Sequence, residues 1–321
     1  MEVKVSVVIP VYNVAPYIEN CARSLFEQTL NQVEYIFIDD CSPDNSIDIV
    51  KNVLHEYPSR EIYTRFYKMP QNSGLPSVRK KGIELAKGDY VIHCDSDDTV
   101  KPKMLEVMYR VASEGNYDMV TCEIDWSNNY VSYLYECKDK LDLIKSILTG
   151  RVIESVCTKL VRKSIYETSG FIYTKDNVNE DCVFSIQLAY YCRSFKQLPD
   201  KFYNYFMRTD SISHVVEEEK MINNYNQFKR NVDLIEFFLK SISLNKEVEK
   251  ELDIKKLSCK NYITPIVHRR EYKKLWNNTY KDIKGIILFN NLISVRKRII
   301  YYCIKFNLYK TLRPIFTKAN D

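Results

Sequence analysis

The chain has 321 residues, a hydrophobic fraction of 45% and a formal net charge of +5. Length and composition predict one large globular domain with an appendage, and they exclude a globally disordered chain. The ten cysteines contain no CxxC pair and no paired spacing with histidine, which argues against a zinc site or a disulfide framework and favours a reducing, cytoplasmic compartment. We also expect no signal peptide and no membrane-spanning helix.

Short apolar runs alternate with amphipathic stretches through the first 125 residues. Continuous apolar runs are typical of buried parallel strands, whereas apolar residues three and four apart are typical of helices. This alternation predicts an α/β fold, with a mostly parallel sheet and helices on both faces. The predicted strands are Val5–Ile9, Val33–Ile38, Ile62–Tyr67, Tyr90–Cys94 and Tyr117–Cys122, and the predicted helices begin near Pro16, Ser46, Val78 and Pro102.

The pattern changes after residue 125. A strand at Tyr130–Tyr135 and helices at Lys138–Leu148 and Asn179–Tyr191 are predicted, and the pattern from about residue 217 onward is helical. We therefore predict an α/β domain over 1–217 and a helical C-terminal extension over 218–321. Residues 255–321 hold 16 of the 47 Lys and Arg residues but only 3 of the 42 Asp and Glu residues, so the two parts are expected to face different partners.

Ligands of open parallel sheets bind beyond the carboxyl ends of the strands. The segments at these ends are polar or irregular: Pro10–Val14, Asp39–Ser46, Pro70–Ser77 and Asp95–Thr99. Two of the four are rich in aspartate, which makes this edge of the sheet the expected functional site.

The sequence Asp95-Ser96-Asp97-Asp98 places three carboxylates within four residues, directly after a predicted buried strand. Such carboxylates repel one another unless a cation or hydrogen-bond donors compensate them. Their hard oxygen atoms suit Mg²⁺ or Mn²⁺, which commonly bind one or two carboxylates together with substrate phosphates. The alternative is a polar turn in which Asp98 caps the helix that begins near Pro102.

Two further segments combine turn chemistry with a functional interpretation. One carboxylate of Asp39-Asp40 could accept a hydrogen bond from a base imide, whereas Ser42 to Ser46 are explained by a turn and a helix cap. Arg79 lies near the start of a predicted helix, where a cation opposes the helix dipole and where an anion would be favoured. Taken alone, Glu180-Asp181 are ordinary acids in a first helical turn, and His214 is an ordinary loop histidine.

Five motifs follow one another over roughly residues 3–215. They are Val5-Ser6-Val7-Val8-Ile9-Pro10-Val11-Tyr12-Asn13, then Asp39-Asp40-x-Ser42-x-Asp44-x-Ser46, then Asn72-x-Gly74 with Arg79-x-x-Gly82, then Asp95-x-Asp97-Asp98, and finally Glu180-Asp181. In this order they resemble the motifs of the family-2 glycosyltransferases with the GT-A (Rossmann-like) fold, of the bacterial envelope or capsular polysaccharide type. Two departures from the family pattern are Pro76, where a small residue is usual, and Lys80, where asparagine is usual.

The resemblance implies which residues bind a nucleotide-sugar donor, with a UDP-sugar expected. Pro10, Tyr12 and Asp40 would line the nucleoside pocket, with Asp40 on the uracil. Asn72 and Arg79 would help to hold the donor.

The resemblance also implies a metal site, a base and a closing loop. Asp95 would contact the ribose or the metal, Asp97 would bind the Mn²⁺ or Mg²⁺ that bridges the diphosphate, and Asp181 would be the catalytic base. The loop that closes over the diphosphate or the acceptor would carry Arg208, Ser211 and His214, and His214 is also a candidate metal ligand.

The implied activity is an inverting, metal-dependent transfer of a sugar to a hydroxyl of a glycan or lipid-linked acceptor, with no nucleic acid partner. The alternatives are a nucleotidyltransferase that makes nucleotide sugars and a non-catalytic sugar- or nucleic-acid-binding protein. A nucleotidyltransferase is expected to carry a glycine-rich basic loop after its first strand, whereas this chain has Pro10–Val14 there. The basic extension predicts peripheral contact with the anionic inner face of the cell membrane. The alternatives are an oligomer contact and a solvated basic face.

Overall fold

The structure is a computed structural model that describes residues 2–126, 135–168, 170–207, 217–281, 283, 293–306 and 308–309. The chain forms two compact units, one of residues 1–147 and 151–209 and the other of residues 148–150 and 210–321. The strand predicted at Tyr130–Tyr135 lies, apart from its last residue, outside the described residues.

The first unit is built on an eight-stranded sheet with the order β3-β2-β1-β4-β7-β6-β8-β5. Strands β1 to β4 pair in parallel, β8 pairs in parallel with β6, and β7 and β5 run antiparallel to their neighbours. The strands are β1 (Val5–Val11), β2 (Val33–Asp39), β3 (Thr64–Lys68), β4 (Tyr90–His93), β5 (Thr99–Val100), β6 (Met119–Trp126), β7 (Lys159–Arg162) and β8 (Phe195–Tyr205). The predicted α/β fold with a mostly parallel sheet is confirmed.

The helices follow the apolar spacing of the sequence. In the first helix the buried residues recur three and four apart, which directs one face onto the sheet. The helices of the first unit are α1 (Ile18–Phe26), α2 (Ser46–Leu54), α3 (Pro58–Glu61), α4 (Leu75–Leu85), α5 (Met104–Glu114), α6 (Lys140–Thr149), α7 (Lys163–Tyr166) and α8 (Glu180–Tyr191). The second unit contains α9 (Glu218–Ser241), α10 (Glu249–Cys259), α11 (Arg270–Asn278) and α12 (Val295–Lys305).

Helix α4 begins three residues before its predicted start at Val78. Pro76 lies in its first turn, where a backbone N–H has no partner within the helix, so proline is accepted there. Gly82 lets the helix approach β1 closely, because a Cβ atom at this position would lie 2.2 Å from Val8 Cγ1. This close packing fixes the helix that carries Arg79.

The second unit has a helical core that includes Tyr225, Val232 and Leu239, all buried. Lys260 is also buried. Its ammonium group is compensated there, because it lies 4.4 Å from the centre of the Trp276 ring and donates to the Trp276 carbonyl oxygen at 3.0 Å. Among the described residues, no helix has both the length and the apolar character needed to cross a membrane.

Candidate active site

One buried arginine joins the end of a central strand to the start of α8. The side chain of Arg79 is 1% exposed, and its Nη2 atom donates to Asp95 Oδ1 at 2.9 Å. Its Nη1 atom donates to Glu180 Oε1 at 2.9 Å and also to Asp181 Oδ1. Three carboxylates from two distant parts of the chain are therefore held by a single guanidinium group.

The carboxylates of this cluster differ in their access to solvent. The side chain of Asp95 is 33% exposed and that of Asp181 is 23% exposed, whereas that of Glu180 is only 8% exposed. Burial raises the pKa of both Glu180 and Asp181, and the charge of Arg79 opposes the shift. Asp95 and Asp181 are the members of the cluster that a ligand can reach.

A buried lysine, which the sequence analysis did not single out, supports the same region. The Nζ atom of Lys159 on β7 donates to the carbonyl oxygens of Ile153 at 2.8 Å and Ser155 at 2.7 Å. The hydroxyl of Ser185 on α8 donates to the intervening carbonyl of Glu154 at 2.5 Å. Burial lowers the pKa of Lys159 to about 8, although the carboxylate of Asp181 acts in the opposite direction. Lys159 and Ser185 thus hold residues 153–155 beneath the start of α8.

Asp98 is part of the sheet edge and does not cap a helix, so that alternative interpretation is wrong. Its carboxylate accepts hydrogen bonds from the Tyr203 hydroxyl and from the Phe206 N–H, both at 2.7 Å, and α5 has Lys103 at its N-cap. Burial and the nearby charges of Asp95 and Asp97 raise the pKa of Asp98 to about 8.

The carboxylates at the end of β4 fit the divalent cation that the resemblance implies only if substrate completes the site. Among the residues that the structure describes, no three His, Cys, Asp or Glu side chains form a ready-made metal cage. A magnesium site completed by substrate phosphates needs only one or two protein carboxylates. Asp95 and Asp97 are partly exposed and lie two residues apart, so their carboxylate oxygens fit the donor set of such a site.

Asp40, directly after β2, organises the loop before α4. Asp40 is buried, and its two carboxylate oxygens accept from the N–H groups of Ser73 at 2.7 Å and Gly74 at 2.9 Å. Burial raises the pKa of Asp40, and these two hydrogen bonds oppose the shift. Pro10 is buried in β1, whereas Tyr12, two residues later, is 49% exposed. Asp40 therefore fixes the loop before α4 against the sheet.

Comparison with known sequences decides the family. Residues 6–169 match the sequence profile of the family described as Glycosyl transferase family 2. The chain belongs to this family. It is also 30% identical over 262 residues to EpsH of Bacillus subtilis (strain 168), covering 78% of this chain and 73% of EpsH. The predicted glycosyltransferase is therefore confirmed, and the nucleotidyltransferase and the non-catalytic binding protein are set aside.

Two solved structures show the fold of this family-2 glycosyltransferase. Residues 1–349 of S. aureus TarS in complex with UDP-GlcNAc superpose with a TM-score of 0.72 at 19% identity, covering 98% of this chain and 92% of the TarS chain. The mannosyltransferase PcManGT from Pyrobaculum calidifontis, in complex with GDP-Man and Mn²⁺, gives a TM-score of 0.58 at 12% identity, covering 96% and 87%. The likeness confirms the GT-A fold.

The loop before α4 is tied down by a second residue that the sequence analysis missed, Asn177. Gly74 precedes α4 with φ +80°, where a side chain would be strained, and the Leu75 N–H donates to Asn177 Oδ1 at 3.0 Å. Asn177 thus links the segment before α8 to the first turn of α4. Asn72 is exposed on this loop.

The two departures from the family pattern are both accommodated. Pro76 is buried in the first turn of α4, and Lys80 is exposed with its ammonium group 5.2 Å from the centre of the Tyr173 ring. Neither residue displaces Arg79 from its carboxylate partners. Arg208, Ser211 and His214 lie outside the described residues, and their roles stay predictions.

Proposed function

We propose that the chain is an inverting glycosyltransferase that moves a sugar from a UDP-sugar to a hydroxyl of a glycan or lipid-linked acceptor in envelope polysaccharide synthesis. The arrangement of Arg79 carries this proposal, because one side chain contacts both the aspartate at the donor end and the carboxylates at the start of α8. The complexes of TarS with UDP-GlcNAc and of PcManGT with GDP-Man and Mn²⁺ support a nucleotide-sugar donor. We assign catalysis to residues 1–217.

The donor is assigned to the ends of β1 and β2 and to the loop before α4. Tyr12 offers an exposed ring to the nucleoside, and Pro10 and Asn72 complete this side of the pocket. Asp40 already accepts two backbone N–H groups, but each carboxylate oxygen has a further acceptor position, so it can also receive the imide N–H of uracil.

Asp97 and Asp95 would hold a divalent cation, with His214 as a further candidate ligand. A bound Mg²⁺ or Mn²⁺ would neutralise the negative charge that develops on the departing diphosphate. The partial exposure of Asp95 and Asp97 leaves room for diphosphate oxygens in the same coordination sphere. Arg79 is not available to neutralise the diphosphate, because its two terminal nitrogens donate to carboxylates of the protein. We therefore revise the role of Arg79 from donor binding to positioning of Asp95 and Asp181.

Asp181 is assigned as the general base of a single displacement. It takes the proton of the acceptor hydroxyl while the oxygen attacks the anomeric carbon, and the bond from that carbon to the diphosphate oxygen breaks on the opposite face. The greater exposure of Asp181 favours it over Glu180. One carboxylate at the sugar is enough, whereas a glycosidase needs two that flank the scissile bond.

The proposal is tested by measuring release of the nucleoside diphosphate from UDP-sugars and GDP-mannose, with Mn²⁺, with Mg²⁺ and with a chelator. We expect at least one UDP-sugar to be turned over, loss of the activity with the chelator, and opposite anomeric configuration in donor and product by NMR. Turnover of GDP-mannose alone, unchanged turnover with the chelator or a retained configuration would each contradict the corresponding part of the proposal.

The second unit is proposed to contact an anionic membrane surface on the cytoplasmic side. Around α12, large apolar side chains are exposed beside basic residues: Val295, Ile299, Phe306 and Leu308 beside Arg296 and Lys297. Basic residues near an anionic leaflet contribute about 1 kcal/mol each. We expect the protein to co-sediment with anionic but not neutral liposomes at low salt, and the double variant Arg296→Gln, Lys297→Gln to bind less. Equal, negligible binding of both proteins would contradict the membrane contact and leave an oligomer contact or a solvated basic face.

A further inference from the structure

A cavity of about 600 Å³ lies at the edge of the sheet opposite to the assigned active site. Its walls include Asp118 and Ser194, which come directly before β6 and β8, and Arg162, which ends β7 and pairs with the first residue of β4. Asp95 follows the other end of β4, so the two places lie at opposite ends of the strands. The volume falls in the range of small-molecule sites, about 300–1,000 Å³.

Two arginines line this cavity, and both have N–H groups left for a ligand. Arg162 is 31% exposed and donates from Nε to Asp118 Oδ1 at 3.0 Å and from Nη2 to Asn116 Oδ1 at 2.8 Å. Its Nη1 atom has no hydrogen-bond partner among the residues that the structure describes. The side chain of Arg193 is exposed, and within the same described residues its guanidinium group has no partner either.

The carboxylate of Asp118 also lines the cavity, but its charge is compensated within the protein. Its Oδ1 atom accepts from Arg162 Nε, and its Oδ2 atom accepts from the N–H group of Arg193 at 2.8 Å. Asp118 is the one acidic residue of the lining, against two arginines. The lining is therefore positive overall, and it favours an anion with oxygen acceptors.

Three hydroxyl groups add to the polar wall, and they divide into two kinds. The hydroxyls of Thr168 and Ser194 already donate to backbone carbonyl oxygens, of Ser164 at 3.4 Å and of Asn116 at 3.3 Å, so their oxygens remain as acceptors. The hydroxyl of Ser164 makes no hydrogen bond within the described part of the chain, so it can donate. The cavity thus offers donors to an anion and acceptors to hydroxyl groups.

We infer that this cavity binds a phosphate monoester carried by a sugar-sized polar molecule. The phosphate oxygens accept from Arg162, Arg193 and Ser164, because guanidinium groups suit the several terminal oxygens of a phosphate. The phosphate alone leaves most of the volume empty, and the hydroxyls of the group that carries it can donate to Thr168 and Ser194.

The site is separate from the reaction centre. Helix α8 begins with Glu180 and Asp181 and ends at Tyr191, which lines the cavity. Its 12 residues span roughly 17 Å at about 1.5 Å per residue. A bound monoester is therefore an additional ligand, distinct from the donor, and the inference does not rest on the proposed function.

Calorimetry on the full chain, with saturating UDP and Mg²⁺ to fill the donor site, tests the inference. We expect saturable binding of glucose 1-phosphate or glucose 6-phosphate. Inorganic phosphate, which lacks the sugar, and glucuronate, which has a carboxylate in place of the phosphate, should each bind about tenfold more weakly or worse, the loss expected when hydrogen bonds to a charged group are removed.

Arg193→Gln should weaken the binding of the sugar phosphate by about tenfold or more. The fold should be kept, because the side chain is exposed and the backbone N–H group that Asp118 accepts from remains. Arg23→Gln is the matched control, since Arg23 pairs with Glu19 and Glu56 on the surface and does not line the cavity. Unfolding temperatures of both variants confirm that they are folded.

Three results would overturn the inference: no saturable binding of either sugar phosphate, binding that UDP abolishes, and equal binding by wild type and Arg193→Gln. Inorganic phosphate that binds as tightly as the sugar phosphates would contradict the sugar-sized group, and tighter binding of glucuronate would contradict the phosphate. Failure of the proposed function is distinct, because it would appear as absent sugar transfer while binding that depends on Arg193 persists.

Discussion

Asp97→Asn is expected to lower UDP release from the preferred UDP-sugar by about 10²–10³-fold, the size of effect seen when one transition-state stabilising group is removed. Asparagine keeps the shape of the side chain but loses the charge that a hard divalent cation requires. Asp97 is partly exposed at the rim of a cavity, so the folded structure should not depend on its charge. The measurement is the rate of UDP release under metal-limited conditions, together with the unfolding temperature.

The same substitution at a remote aspartate provides the control. The side chain of Asp48 on α2 is 74% exposed, and its Oδ1 atom lies 3.6 Å from Lys51 Nζ. Asp48→Asn therefore makes the identical chemical change away from the site. Saturating Mn²⁺ should restore part of the Asp97→Asn activity, because a weakened ligand raises the dissociation constant of the ion. Wild-type rates for Asp97→Asn at limiting metal would show that Asp97 does not hold the ion.

Local patterns in the sequence were sufficient to predict the sheet and the polar edge where the site lies. Buried runs such as Val5–Ile9 read directly as strands, and Asp95 and Asp97 follow one of these strands within a few residues. The position of these two aspartates at the polar edge follows from the parallel pairing of neighbouring strands alone. The strands β5, β7 and β8 were missed. β5 and β7 run antiparallel to their neighbours, and β8 pairs in parallel with β6 although β7 and two long helices lie between them in the chain, so none of the three follows the strand–helix alternation.

Two of the three carboxylate partners of Arg79, Glu180 and Asp181, could not be predicted, since they are about 100 residues away along the chain. The sequence offered one indication, a cation at a helix start where the dipole disfavours it, and this was assigned to an anion of the donor. The structure shows carboxylates of the protein in that position. The burial of Lys159 could not be predicted at all, because a lysine is expected to be exposed unless the tertiary fold buries it.

Asp181→Asn is expected to reduce turnover by about 10²–10⁴-fold, the usual contribution of a general base, while the affinity for UDP with Mn²⁺ changes by less than about threefold. The amide oxygen of asparagine can still accept the hydrogen bond from Arg79, so the geometry of the cluster is kept. An amide cannot take the proton of the acceptor hydroxyl. Calorimetry of UDP binding and UDP-release rates on the same preparation measure the two effects separately.

Glu180→Gln is the matched control, since it makes the same change on a neighbouring partner of Arg79 that is less exposed. We expect it to retain turnover within about tenfold. Burial raises the pKa of Asp181, and a base acts only when ionised, so wild-type activity should be lost as the pH falls through a value above the ordinary carboxylate pKa of about 3.9. If Glu180→Gln removes this acid limb and Asp181→Asn keeps it, the base is Glu180. Loss of UDP binding in Asp181→Asn would show that Asp181 maintains the fold of the site, because a base that acts on the acceptor has no contact with the nucleotide.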